Sequence, residues 1–327
     1  MAEAIPTKVR IVKSKIAIIG SGYMAREYYR VLANDNSVEM AGIYSRKPEA
    51  AQDIVGDNSS VFIADSIESL YFNTQADGVI VAVSELALPQ IMKEVFAFNW
   101  VSLVEKPVGI DLKTAEKIAF EASRSQRISF AALNRRYYSS TLKLMDELQG
   151  AEGIRVVRIN DQENLVLASK ANQPKLVLDN WMHANSIHLI DYFSFLCRGE
   201  LVQVASERKN LSAGTFLVTS NLNYSSGDIG VYNAYWNTPS SWSVNINVGD
   251  RELELKPLET YRLRSLSEMK WTECGPSEVD IEFKPGLELM CRDFMRALAG
   301  LNSSLQTIEQ ALGTRRLISK IYEGIDL

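Results

Sequence analysis

The chain has 327 residues, 46% of them hydrophobic, and a formal net charge of −5. That length accommodates two domains with sizeable cores, and the negative balance excludes a generic nucleic-acid surface. Two histidines, His183 and His188, exclude a three-histidine metal centre, and Cys197, Cys274 and Cys291 stand too far apart for a CxxC pair, so no metal is expected and the thiols read as reduced.

The N-terminal stretch MAEAIPTKVRIVKSK lacks the apolar core of a secretion signal, and no stretch is long enough to span a bilayer. A cytoplasmic protein with no membrane partner is the expectation. Residues 8–14 read as a lead-in to a first strand over 15–19, mostly branched and apolar, as a buried parallel strand requires. A GxGxx(G/A) turn follows: Gly20, Ser21, Gly22, Tyr23, Met24 and Ala25, opening an amphipathic helix over 25–32. Gly20 permits the tight turn, Gly22 removes a Cβ from the path of a pyrophosphate, and Ala25 lets the helix pack on the strand. The free N–H groups of the helix end then face the phosphates. A tight strand–helix turn of some other α/β protein is the alternative.

A second strand over 38–44 ends in Ser45, Arg46 and Lys47, where an acid would bind the ribose 2′-hydroxyl of NAD. A hydroxyl with cations suits a 2′-phosphate instead, which favours NADP over NAD; an ordinary solvated loop is the other account. Next come a helix over 49–55, a strand over 61–64, and a helix capped by Ser66. A strand over 79–83 ends at Ser84, at the carboxyl edge where a ligand sits. A helix over 86–98 precedes a strand over 101–104 that runs into Glu105-Lys106-Pro107. A helix over 111–123, capped by Asp111, and a strand over 127–133 complete a doubly wound parallel sheet of six strands.

Beyond Tyr137 the pattern changes. A helix over 140–148, a strand over 154–159 and a helix over 183–196 precede apolar or alternating runs at 201–206, 215–224, 228–236, 243–248 and 252–258. Turns at 224–228 and 249–250 join successive strands, so this sheet is large and mostly antiparallel. Closing helices span 285–298 and 307–322. The domains divide as 1–136, dinucleotide-binding, and 137–327, for substrate and oligomerisation, with the last helix, 307–323, packing back on the first.

IIGSGYMA, VEKPVG at 104–109, ALNRRY at 132–137, SIHLIDYF at 186–193 and the closing SSLQTIEQALGTRRLISKIYE together resemble the glucose–fructose oxidoreductase / inositol dehydrogenase (Gfo/Idh/MocA) family, over nearly the whole chain. The resemblance implies a Rossmann domain followed by an α/β domain with an open sheet, and hydride transfer between NAD(P) and a carbohydrate. It implies Lys106 as the residue that polarises or holds the substrate oxygen and His188 as general base. Glu105 then faces the cofactor or anchors the turn. Asp191, three residues past His188, orients the ring or holds the helix. Asn134 approaches the nicotinamide and Arg136 a substrate carboxylate or phosphate, or both bridge the domains. Lys175 and Trp181 supply the anion-contact and sugar-stacking side of the pocket. His183, on another face of a regular helix, is structural or pocket-lining. The family's open sheet face often forms an oligomer interface; Tyr232, Tyr235, Trp236 and Trp242 furnish one here, or fill the core. A homodimer or homotetramer is expected.

One departure stands out. Fuller members carry Asp-x-Gly-x-His where this chain has Ala184, Asn185, Ser186, Ile187 and His188. Asn185 or Ser186 replaces the hydrogen bonds of the missing Asp but not its charge. The family's histidine after the fourth strand is also absent from 84–88. The reading is an oxidoreductase of a sugar or sugar derivative, nucleotide-linked or phosphorylated. The alternatives are a catalytically silent NADP-binding regulator and an NAD-linked polyol dehydrogenase of the inositol type.

Overall fold

The computed structural model describes residues 13–325; the lead-in expected over 8–12 lies outside them. Six parallel strands form the first sheet: β1 (Ser14–Ile19), β2 (Val38–Tyr44), β3 (Phe62–Ala64), β4 (Gly78–Val81), β5 (Val101–Glu105) and β6 (Ser129–Ala132). Their order is β3-β2-β1-β4-β5-β6, so the order in which strands are added reverses between β1 and β4 and opens a crevice at their carboxyl ends. The crossovers are α1 (Tyr23–Ala33), α2 (Pro48–Val55), α3 (Ile67–Thr74), α4 (Leu88–Val95) and α5 (Leu112–Ser125). Local chemistry starts two of these helices as expected. Ser66 Oγ accepts from the Ser69 N–H at 3.0 Å, and Asp111 Oδ1 from the Thr114 N–H at 2.7 Å.

The doubly wound path puts α1 and α2 on one face of the sheet and α3, α4 and α5 on the other. The first face is then bare under β4, β5 and β6. It is covered by α11 (Leu287–Leu298), whose Phe294 and Leu298 lie so close to Gly78 that a Cβ there would meet both. Phe294 also meets Phe130 edge-on, at 6.5 Å between ring centroids. α12 (Ile308–Ile321) packs on α5 and on the second domain's helix α9 (Ile187–Leu196). Just before α12, the Ala131 N–H donates to the Gln306 carbonyl at 2.9 Å and Phe130 pairs with Thr307. The chain's end thereby closes the outer edge of β6.

After a 3-10 turn (Asn134–Tyr137) and α6 (Ser139–Leu148), the second sheet begins with β7 (Val156–Glu163). Short helices α7 (Leu165–Lys170) and α8 (Lys175–Leu178) and a π-helical turn (Met182–Ser186) lead into α9. The remaining strands are β8 (Leu201–Ser212), β9 (Thr215–Tyr224), β10 (Ile229–Trp236), β11 (Ser243–Val248), β12 (Arg251–Leu255), β13 (Tyr261–Ser265) and β14 (Thr272–Cys274). α10 (Glu278–Glu282) precedes α11. The order is β14-β13-β12-β11-β7-β10-β9-β8, with β7–β10 the parallel pair in an otherwise antiparallel sheet. No helix among the described residues is long and apolar enough to cross a membrane.

Strand alternation assigns two of the four aromatics to the core, one of the two accounts open for them. Tyr232 and Trp236 point inward and are fully buried; Trp236 stacks on Phe216 at 5.4 Å, and both meet Tyr322 of the C-terminal segment. Tyr235 lies on the opposite, outer face, partly covered. Trp242 is committed to Arg135 and Gln162, as described below.

Candidate active site

The site starts at the turn after β1. Gly20 has φ +126°, a region that favours glycine, and a Cβ there would strike the Ala82 carbonyl. Gly22 has nothing within 4 Å of where a Cβ would stand. No side chain caps α1 and no acid occupies its first turn, so its leading N–H groups point into open space. This is a cradle shaped for a pyrophosphate, and the residues present fit a dinucleotide. A cleft of about 810 Å³ continues from it, lined by Gly20, Ser21, Gly22, Tyr23, Met24, Ser45, Arg46, Ser84, Glu105 and Lys106 among others. Ala25 is buried against the strand instead of lining the cleft.

At the ribose end, the Ser45 and Ser21 hydroxyls meet at 2.7 Å, and Ser45 Oγ accepts the Lys47 N–H at 3.1 Å. Arg46 is exposed at the rim of the cleft. Lys47 does not line it; it is the N-cap residue of α2 and acts through its backbone.

Glu105 is buried and accepts the Tyr28 hydroxyl at 2.7 Å, so the last residue of β5 is tied to the fingerprint helix. Burial raises the Glu105 carboxyl, partly offset by that hydrogen bond and by Lys106. Lys106, before a cis Pro107, donates from Nζ to the Ala184 carbonyl at 3.1 Å. Burial lowers its ammonium; Glu105 opposes this and Arg135 adds to it. His188 sits in the same field. Burial, then Arg135, Lys106 and Lys284, push its imidazole well below the ordinary range, so it is neutral at pH 7. No described residue hydrogen-bonds its ring, which leaves both nitrogens to a ligand.

The π-helical turn separates the two histidines. His183 lies against Arg315, whose Nη1 donates to the His183 carbonyl at 2.9 Å and whose Nη2 donates to the Gly109 carbonyl at 2.7 Å. His183 therefore belongs to the contact with α12, away from the Lys106–His188 cluster.

Several residues assigned to substrate are engaged elsewhere. Asp191 Oδ2 accepts Arg136 Nε at 2.7 Å, and Oδ1 accepts Arg136 Nη2 and Thr314 Oγ1, each at 2.8 Å. Arg136 is thus a bridge between the domains, and Asp191 holds helices together and does not orient His188. Asn134 is buried and donates to the Pro285 carbonyl at 3.0 Å, which anchors the approach to α11 in place of a contact with the cleft. Lys175 points to solvent and pairs with Asp179 one turn on; Gln173, from the same segment, reaches the cofactor cleft instead.

Glu163, at the end of β7, was not legible as a site residue. Its buried carboxylate accepts Trp181 Nε1 at 2.5 Å, Asn185 Nδ2 at 2.8 Å and Ser186 Oγ at 3.1 Å. Beside it, buried Asp161 accepts the Tyr232 hydroxyl at 2.7 Å through Oδ2, while its Oδ1 has no ordinary donor. Burial raises both carboxyls, and their mutual repulsion raises Glu163 further. Trp181 and Asn185 are therefore anchored to Glu163, not free in the pocket. Ala184 sits in a small apolar nest with Ile110 and Val177. Glu163 reaches the turn that holds Ala184 from the sheet, through Trp181, Asn185 and Ser186.

Comparisons with known proteins bear on the fold that carries this site. Residues 14–132 match the Gfo/Idh/MocA model, described as an oxidoreductase family with an NAD-binding Rossmann fold. No curated protein sequence matches the chain significantly. Among solved structures, a dehydrogenase from Chromobacterium violaceum is 17% identical with a TM-score of 0.80, covering 95% of each chain. A UDP-N-acetylglucosamine 3-dehydrogenase from Acidithiobacillus ferrooxidans is 16% identical with a TM-score of 0.73, over 95% of this chain and 96% of that one. An oxidoreductase from Agrobacterium radiobacter, in complex with NAD+, L-tartaric acid and magnesium, is 15% identical with a TM-score of 0.76, over 96% and 98%. These likenesses extend the shared fold through the second sheet. Residues 14–132 of the chain thus match the model of the Gfo/Idh/MocA family of NAD-binding oxidoreductases, and the solved structures carry the likeness of fold over the rest of the chain.

Proposed function

We propose that the protein is an NAD(P)-dependent dehydrogenase or reductase acting on a CH–OH group of a sugar or sugar derivative, with NADP preferred. The observation that carries this reading is the placement of Lys106 and His188 in one electrostatic cluster, with Lys106 lining the cofactor cleft. The nicotinamide, when bound, supplies the hydride acceptor. Lys106 holds the substrate oxygen, and neutral His188 takes the hydroxyl proton as the hydride leaves carbon. In the reverse direction His188 returns that proton. The sugar class is supported by the sugar-nucleotide dehydrogenase among the structural neighbours, and the NADP preference by Arg46 at the ribose end of the cleft. The polar outer face of the second sheet, with Asn160, Asn233 and Tyr235, supports a homodimer or homotetramer, which light scattering at micromolar concentration tests.

Ala184 favours a second reading, a silent NADP-binding protein, because it leaves no carboxylate at that position. Single-turnover hydride transfer across a sugar panel, followed by nicotinamide absorbance, separates the two. His188→Asn and Lys106→Met are each expected to lower the chemical step by about 10²–10⁴-fold with little change in cofactor affinity. Full activity of His188→Asn removes it as the base. Tight cofactor binding with no turnover of any sugar supports the silent reading.

A further inference from the structure

Arg135 and Arg136 are neighbours in sequence with opposite fates. Arg136 is saturated by Asp191. Arg135 forms no ion pair among the described residues, and its Nη1 is buried without a hydrogen-bond partner. Buried donors in folded proteins are almost always satisfied, so an orphan guanidinium nitrogen calls for a partner the chain itself does not supply. The Tyr138 phenol touches the group but carries no charge to balance it. Asp161 feels Arg135 at a distance, yet its Oδ2 is taken by Tyr232 and it makes no ion pair.

The guanidinium is also held in place. Its Cζ lies 4.2 Å from the Trp242 ring centre, and Trp242 Nε1 donates to the Gln162 carbonyl at 3.0 Å. The contact with the ring restrains the guanidinium, whose fork of N–H groups is suited to pair with two oxygens of one oxyanion. On one side Arg135 opens on a cavity of about 480 Å³, with Lys256 and Glu259 on its wall. On the other its charge reaches Lys106 and His188. The like charges repel one another, and an anion beside Arg135 relieves that repulsion.

We propose that Arg135, held against Trp242, docks an oxyanion carried by the substrate (phosphate, diphosphate or carboxylate), with Lys256 across the same cavity. This rests on the dehydrogenase reading above and narrows it to an acidic sugar, with the anion set to one side of Lys106 and His188 and the reacting carbinol between them.

The test is calorimetric titration of the full, NADP-loaded protein with glucose, glucuronate, glucose 6-phosphate and UDP-N-acetylglucosamine. At least one charged probe is expected to bind about ten-fold or more tightly than glucose, and which one does so separates carboxylate, phosphate and diphosphate. Arg135→Gln is expected to weaken that probe about ten-fold or more while NADP affinity is kept. Arg135→Lys restores only part of the loss, because a point charge lacks the fork, and serves as the test if the Gln variant fails to fold. The proposal is overturned if no charged probe outbinds glucose, or if both variants bind the charged probe as the wild type does. Arg135-dependent binding without turnover of any sugar upholds the anion site and defeats the dehydrogenase reading. Turnover of a charged probe that Arg135→Gln leaves intact does the reverse.

Discussion

Asp191→Ala is the most demanding test of the bridge between the domains. The aspartate takes two N–H groups of Arg136 and the Thr314 hydroxyl at 2.7–2.8 Å, and the two charged side chains are only 15% and 6% exposed. Burial alone would depress the Arg136 guanidinium; Asp191 overcomes this and raises it. Deleting the carboxylate strands a largely buried positive charge, at a cost of about 3–5 kcal/mol. With the unfolding entropy of a chain this long, that corresponds to a melting midpoint lower by about 4–8 °C in scanning fluorimetry. The double variant Arg136→Met/Asp191→Leu is expected to recover most of the loss, since an apolar pair of similar volume removes both charges together. Additive losses in the cycle would refute the bridge. So would an Arg136→Met protein that melts with the wild type but shows a raised KM, which would return Arg136 to the substrate.

Burial, with Arg315 beside it, pushes the His183 imidazole down to about 3. The unfolded chain takes that proton near pH 6.5, so it binds more protons than the folded one between pH 6.5 and 3, and stability falls as pH drops through that window. From pH 7 to 5 this histidine accounts for about 2 kcal/mol, and urea unfolding of His183→Gln should show a flatter pH dependence; parallel curves would exclude it. Arg46→Ala should weaken NADP by about 1–3 kcal/mol and leave NAD nearly unchanged; equal calorimetric losses for both cofactors would clear Arg46 of the 2′-phosphate. Glu163→Gln turns an oxygen that accepts Trp181 or Asn185 into a donor, so stability in urea should fall by about 1–3 kcal/mol, and an unchanged midpoint would mean that the turn does not depend on this carboxylate.

The first domain was legible because its signals are local. Branched apolar runs mark the strands, Ser66 and Asp111 mark helix starts, and the glycine turn has a steric reason at each position. Lys106 and His188 came from motifs whose residues the fold does bring together. What stayed hidden was set by phase and partner. β7 reads as ending near Ile159 because Asp161 and Glu163 are polar, although both face the core. The arginines at 135 and 136 are chemically identical, and only the 3-10 turn decides which one meets Asp191 and which one meets Trp242. The aromatics of β10 fall on alternate faces, so Tyr232 and Trp236 serve the core while Tyr235 does not. β8 runs past its expected end because a polar edge strand shows no apolar pattern.

The cover that α11 and residue 306 provide for the first sheet also has a consequence in time. Ile80, Leu103 and Phe130 leave the ribosome with β4, β5 and β6, whereas Phe294, which packs among them, follows only after the whole second sheet has been made. At translation rates of about 5–20 residues per second the interval is roughly 10–30 s. During it the nascent first domain holds its cofactor turn but shows an apolar sheet face and an open strand edge to its surroundings. A chain cut after residue 136 is left permanently at that stage: it has the glycine turn and the Glu105–Tyr28 tie, but not the layer that shields its sheet from other chains.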